Sequence, residues 1–365
     1  MDKERILSFP HMGSYYVPIT FLATKLLNMK VMVAPPITKK TLELGSKYSP
    51  DFVCVPFKYC LGNFIEALEK GANVLAQAVG GCRFSYYSEV QQQILKDLGY
   101  QFDFIDITPP NKMTIFSLYK QFKQINPKLN FLKFGYYFYV TYKLVKIIEQ
   151  VEDYMRQNMG FEIEKGSFER LHKLFLKELA AIKNNWELTK VWKKYKKLFY
   201  GLKIDKPKDC MKVGIIGELY TEMEPFSSCD IERQLAKKRV EVTRITTVSY
   251  LLFTKPRKFK KILRRARPYL EYHIGADGTD SVSKSVAYAL KGYDGIIHSK
   301  PFACTPEVNA MPMLQNLSKD YKIPILFLSF DLQTSEGGIM TRLEAFYDML
   351  KMRKDKKHEK SILRN

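Results

Sequence analysis

Twice along this 365-residue chain, short apolar runs alternate with longer amphipathic ones, a pattern that leaves few folds open. In the first stretch the runs predict strands over 5–9, 30–34, 52–55, 74–78 and 102–107, with helices over 15–29, 62–69 and 87–98. The alternation restarts at Met211-Lys-Val-Gly-Ile-Ile-Gly217. Here it predicts strands over 211–217, 240–243, 295–298 and 323–329, and helices over 230–238, 280–290, 306–319 and 341–351. Strands spaced by helices of this length imply parallel sheets with helical crossovers. Between the two stretches, apolar residues recur three and four apart and strand signals vanish, so 111–205 reads as a helical insert. The expected fold class is α/β: two Rossmann-like domains, with parallel sheets facing across a cleft, joined by that insert. The expected boundaries are an N-terminal domain over 1–110, the connector over 111–205, a C-terminal domain over 206–350 and a basic tail over 351–365.

A hydrophobic share of 46% and a charged share of 27% are those of a soluble globular protein. The longest apolar stretches, 15–36 and 131–148, are broken by Lys25, Lys30, Lys133, Lys143 and Lys146. Neither offers the roughly 20 uninterrupted apolar residues of a membrane helix. Met-Asp-Lys-Glu-Arg at the start lacks the apolar segment of a signal peptide, so a cytoplasmic location is expected. The formal charge of +21 is concentrated in three blocks, 190–197, 255–267 and 351–357. Basic blocks raise the question of nucleic acid. The chain has no zinc-finger spacing, no RNP-like aromatic motif and no convincing helix-turn-helix, which disfavours that partner. Solvated basic faces, a surface for an acidic protein and a site for coenzyme phosphates are the readings left.

Six cysteines with no Cys-x-x-Cys pair form neither a disulfide framework nor a structural zinc site. Three of them, Cys54, Cys82 and Cys304, lie where predicted strands end, and open parallel sheets bind ligands outside those carboxyl ends. Thiolates are soft ligands, and three of them on a [4Fe–4S] cluster would leave one iron open to a substrate oxygen. The plainer alternative is that some are small buried apolar residues. Cys60 reads as a fourth ligand or a packed thiol, and Cys210 and Cys229 read as structural. His11, in a Pro-His-Met-Gly turn, is an acid–base candidate; His298 is equally a core histidine. Lys58 and Arg83 follow candidate ligands closely and would bind an anion, or else form surface ion pairs. Glu307 is a candidate whose rival role is capping a helix start. Ser335 and Glu336 lie in the loop after the last predicted strand. No Walker loop and no Gly-x-Gly-x-x-Gly follows a strand, so ATP or NAD binding is not indicated.

Several of these stretches resemble a known family. They are Pro10-His-Met-Gly13, Thr41-Leu-Glu-Leu-Gly-Ser-Lys-Tyr-Ser-Pro50, Cys54-Val-Pro-Phe-Lys58, Gly62-Asn-Phe-Ile-Glu-Ala-Leu-Glu-Lys-Gly71 and Gly80-Gly-Cys-Arg83. Lys300-Pro-Phe-Ala-Cys-Thr-Pro-Glu307 and Thr334-Ser-Glu-Gly-Gly-Ile-Met-Thr-Arg-Leu-Glu-Ala-Phe346 extend the likeness. Together they look like the 2-hydroxyacyl-CoA dehydratase and benzoyl-CoA reductase-like superfamily, in its activase-related, double-cubane-like branch of anaerobic bacteria. The resemblance implies a [4Fe–4S] cluster or a double-cubane [8Fe–9S] cluster on Cys54, Cys82 and Cys304. It also implies an ATP-dependent iron–sulfur activase as electron donor, an acyl-CoA substrate dehydrated through a ketyl radical, and a homodimer or family heterodimer. The chain departs from well-defined dehydratases as a single polypeptide in which no residue fixes a CoA pocket, and low-potential reduction of another small molecule is compatible. The other function classes are a non-catalytic iron–sulfur electron-transfer or cluster-carrier protein and a basic nucleic-acid-binding protein.

Overall fold

The computed structural model describes residues 4–78, 81–107 and 114–362. The chain divides into two compact units, Met1–Glu152 with Glu164–Leu202, and Asp153–Ile163 with Lys203–Asn365. In the first unit, strands β1 (Ile6–Ser8), β2 (Lys30–Val31), β3 (Val74–Ala78) and β4 (Asp103–Ile107) form one parallel sheet in the order β2-β1-β3-β4. Helices α1 (Tyr16–Leu22), α2 (Lys39–Tyr48), α3 (Val55–Glu69) and α4 (Tyr87–Asp97) lie between the strands in sequence. After β4 come α5 (Ile115–Ile125), α6 (Phe131–Asn158), α7 (Ser167–Ala180) and α8 (Asn185–Tyr200). These are the helices of the stretch read as an insert. They fall mostly within the first unit, and α6 crosses the division between the units.

Strand alternation sorts the first core into two layers. Leu7, Val74 and Ala76 pack with Leu26, Phe122 and Phe134, while Leu75 packs with Phe57, Leu61 and Tyr87. The strand expected over 52–55 is not there: Cys54 is the residue before α3, in extended conformation, and Val55 opens the helix. Pro56 explains the difference, because a helix start needs no amide hydrogen there and its fixed φ already suits the turn. A short apolar run reads alike as buried strand or buried helix, and here twelve of the fifteen residues of α3 are buried. The helix expected over 15–29 is shorter and loosens into a π turn over Ala23–Leu27, closed by Asn28 at φ +55.

In the second unit, β5 (Met211–Gly217), β6 (Val240–Arg244), β7 (Gly295–Pro301) and β8 (Ile325–Phe330) form a parallel sheet in the order β6-β5-β7-β8. Its helices are α9 (Leu219–Met223), α10 (Ile231–Lys237), α11 (Lys255–Ala266), α12 (Gly278–Leu290), α13 (Thr305–Asp320) and α14 (Glu336–Ile362). One face buries Val213, Ile215, Ile297 and Leu328 against Ile231, Leu235 and Phe346. The other buries Ile216 and Ile296 against Ala266, Val282 and Leu314. Both units are therefore α/β, Rossmann-like, and share one strand order. In each, the chain reverses direction of winding between its first and third strands, the place where such sheets hold ligands. No helix among the described residues is long and apolar enough to cross a membrane.

Candidate functional site

In the first unit, the loop after β1 is pinned by α3. Asn63, fully buried, accepts the backbone N–H of His11 at 2.8 Å and donates to the Pro35 carbonyl at 3.1 Å. The His11 ring stacks on Tyr16. Helix α3 is itself held close to α2: a Cβ on Gly45 would lie 1.8 Å from the Lys58 carbonyl oxygen, and one on Gly62 would lie 2.0 Å from that of Thr41. Glycine is the only residue both crossing points accept. This contact sets where the first turn of α3, and with it Cys54, meets the sheet edge.

Cys54 Sγ lies 3.0 Å from the Tyr87 hydroxyl, which packs edge-on against Phe57. Cys82 precedes a single helical turn, Arg83–Tyr86, and its Sγ accepts the Phe84 N–H at 3.4 Å. Burial holds the Tyr87 hydroxyl proton far above the ordinary phenol range, and the neighbouring Cys54 and Cys82 thiols push the same way. Of the expected ligands, Cys54 is half-buried and in contact with Tyr87, while Cys82 is exposed. Lys58 is buried in the first turn of α3, so the surface-ion-pair reading fails for it, whereas Arg83 is exposed. Gly80, in the expected Gly80-Gly81 turn, lies outside the described residues. Ser8 Oγ and both polar atoms of Gln77 are buried, with no hydrogen-bond partner among the described residues. Alternation along β3 places Gln77 on the face of Leu75, the one that carries Phe57 and Tyr87.

In the second unit, Cys304 precedes α13, with Pro306 inside its first turn. It follows the third strand of its sheet, as Cys82 follows the third strand of the other. Behind it, His298 Nε2 and Glu307 Oε2 are 2.7 Å apart with both side chains fully buried, and Ser281 Oγ donates to Glu307 Oε1 at 3.1 Å. Glu307 is therefore a core partner of His298 rather than an exposed helix cap. Burial lowers the Lys300 ammonium, while Cys304 and Glu307 nearby act to raise it.

The same sheet edge carries a cluster that sequence reasoning passed over. Gly217, at φ +144, ends β5 so close to β7 that a Cβ would lie 1.8 Å from the Ser299 carbonyl oxygen. The next carboxylate, Glu218, accepts the N–H groups of Tyr220 at 3.0 Å and Thr221 at 2.9 Å. Its crowded surroundings push it up to about 7 despite those bonds, and the charge of Asp277 adds to the rise. Glu222 is buried, and burial pushes it up to about 8, with Lys284, the Thr246 hydroxyl and Arg244 acting against the rise. Asp277 pairs with Lys255 at 2.8 Å. Asp280 pairs with Lys284 at 2.8 Å and accepts the Tyr250 hydroxyl at 2.5 Å. Burial alone would lower Lys284, but Asp280 and Glu222 hold it above the ordinary lysine range. The one sequence signal was Asp280 four residues before Lys284 on a helix of small side chains.

Comparison with protein-family models and with curated proteins finds no match. Among the described residues, no group of three or more His, Cys, Asp or Glu side chains is arranged to hold a metal ion. The remaining expected site residues lie apart from these clusters. Ser335 and Glu336 are exposed at the start of α14, where Ser335 Oγ accepts the Gly338 N–H at 3.1 Å as a helix cap. Cys60 is buried in α3, and burial raises the Cys210 and Cys229 thiols, Cys229 to about 11. No disulfide joins the six cysteines.

Proposed function

We propose that this chain is a cytoplasmic iron–sulfur protein of the 2-hydroxyacyl-CoA dehydratase type, with Cys54, Cys82 and Cys304 as the cluster ligands. A low-potential electron from an ATP-dependent activase would serve reductive dehydration or reduction of a small, acyl-CoA-like substrate. The observation that carries the reading is that Cys82 and Cys304 hold the same topological place in two sheets of one strand order, each following the third strand of its sheet. The donor set suits the group, because thiolates are its usual ligands and all three cysteines precede helical turns at ligand-binding sheet edges. In the first unit, the buried polar atoms of Ser8 and Gln77, without partners among the described residues, would accept a polar guest.

When bound, the cluster would supply single electrons at low potential and an iron that accepts an oxygen ligand. The chain's own residues supply the proton chemistry. Glu218, raised to about 7, and Glu222, raised to about 8, stand near the working pH of a cell, where a carboxyl both gives and takes a proton. Lys284 and Asp280 hold charge balance behind them.

The test is anaerobic purification with iron and sulfide analysis and EPR, on wild type and on Cys54→Ala, Cys82→Ala, Cys304→Ala and Cys229→Ala. The first three variants are expected to lose the cluster and Cys229→Ala to keep it. Less than about one iron per wild-type chain after reconstitution overturns the proposal.

A further inference from the structure

Of the three basic blocks, the one on α11 is built unlike the others. From Lys255 to Arg267, eight of thirteen residues are Lys or Arg and none is Asp or Glu. Ile262 and Ala266 turn inward and are buried, and every exposed position from 256 to 268 is Pro, Lys or Arg. The helix is about 18 Å long, so its outer face is an unbroken cationic half-cylinder of that length. Among the described residues, Lys255 alone of these cations is in an ion pair, with Asp277. None of the cations at 257, 258, 260, 261, 264, 265 and 267 meets a carboxylate or lies over an aromatic ring among the described residues. On α8, by contrast, Lys194 pairs with Glu178, while Lys190 and Lys196 lie over Trp186 and Trp192. Like charges three and four apart oppose a helix, so the α11 pattern works against its own stability when nothing covers it.

The face also has a place. Lys255 Nζ donates to the Ala276 carbonyl at 3.0 Å and to Asp277 at 2.8 Å. The adjoining Gly278 lies so near the Pro306 carbonyl oxygen that a Cβ would come within 2.4 Å of it. The N-terminal end of α11 is therefore two packed contacts from the first turn of the helix after Cys304.

We propose that the outer face of α11 is a docking surface for the carboxylate-rich face of a partner protein. Arg and Lys mixed over a broad face suit scattered carboxylates, with the guanidinium groups able to bind them bidentately. The one aromatic of the helix, Phe259, is half-buried against His273, and the exposed positions offer no Asn, Gln, Ser or Thr for base edges, which sets the face apart from one that reads bases. The partner's role as electron donor rests on the iron–sulfur reading; the docking itself does not.

The probes are labelled poly-L-glutamate and a labelled short duplex DNA, followed by fluorescence anisotropy at about 0.15 M salt, where exposed charges are screened within about 8 Å. Arg257→Glu/Lys260→Glu/Arg264→Glu is compared with Lys193→Glu/Lys196→Glu/Lys197→Glu on α8, an equal change of charge. The α11 variant is expected to weaken polyglutamate binding at least about tenfold and the α8 variant less than about threefold. Equal losses, or no polyglutamate binding by wild type, overturn the proposal, as does duplex DNA binding more tightly than polyglutamate through α11. Should the charge reversals unfold the protein on a circular dichroism melt, the Arg257→Gln/Lys260→Gln/Arg264→Gln variant replaces them. Iron is assayed on the same samples. An iron-free protein that still binds through α11 would sink the iron–sulfur reading and leave the docking surface standing.

Discussion

Glu307 Oε2 sits 2.7 Å from His298 Nε2 inside the second unit, and neither side chain reaches solvent. The pair ties β7 to α13 directly behind Cys304. His298 Nδ1 already has no hydrogen-bond partner, so Glu307→Leu leaves the whole ring without one. That change is expected to cost about 1–3 kcal/mol in urea denaturation. Adding His298→Phe should return a large part of the loss, because both polar ends are then gone. A double variant as unstable as the sum of the two singles would show that the pair is not coupled.

Stability should fall as pH rises through neutrality. Glu222 and Glu218 are pushed above the ordinary carboxylate range, to about 8 and about 7, so the folded chain binds more protons than the unfolded one between that range and about pH 8. The unfolded state then gains as pH rises. Between about pH 6 and about pH 8 the wild type should lose about 3–4 kcal/mol, and Glu222→Gln should lose less. Identical slopes for the two proteins in urea titrations would contradict the assignment.

Among the described residues, Lys284 is the one cation at ion-pair distance from Asp280, and both are buried. Lys284→Met leaves Asp280 with the Tyr250 hydroxyl but without its ion-pair partner, and removes the cation that acts most on Glu222. The expected cost is about 3–5 kcal/mol, whereas Lys284→Met/Asp280→Leu should cost much less. Equilibrium denaturation of the three proteins decides it.

Gly62→Ala places a methyl 2.0 Å from the Thr41 carbonyl oxygen, which is backbone and has nowhere to yield. An overpacking cost of about 1–3 kcal/mol is expected. Because α3 must shift, Cys54 should also change its rate of alkylation by iodoacetamide relative to wild type. Gly71→Ala is the comparison, with open space around its Cβ but a positive φ.

The strands that sequence reading placed best were β3 and β5, whose bounds of 74–78 and 211–217 coincide with the structure. Both are central and apolar, and turn residues close them. The error at Cys54 arose because 52–57 is apolar on every position, and only Pro56 marks the helix start. Cys82 and Cys304 were legible as residues after strands. The cluster of Glu218, Glu222, Asp277, Asp280 and Lys284 was not, because its members span many tens of residues and look like surface charges one at a time. Their burial comes from strand order, which brings α9 and α12 over β5, and no local pattern encodes that.

The two sheets share an order but not a length. β1 and β2 have three and two residues, where β5 and β6 have seven and five. A ladder of two rungs opens with little loss, while β5 and β7 must part along five registered pairs at once. In amide hydrogen exchange, the backbone of β5 and β7 should therefore stay protected long after β1 and β2 have taken up deuterium. Local opening would then begin at the loop of His11, so the half of the chain that carries two of its three candidate thiols is also the half that breathes first.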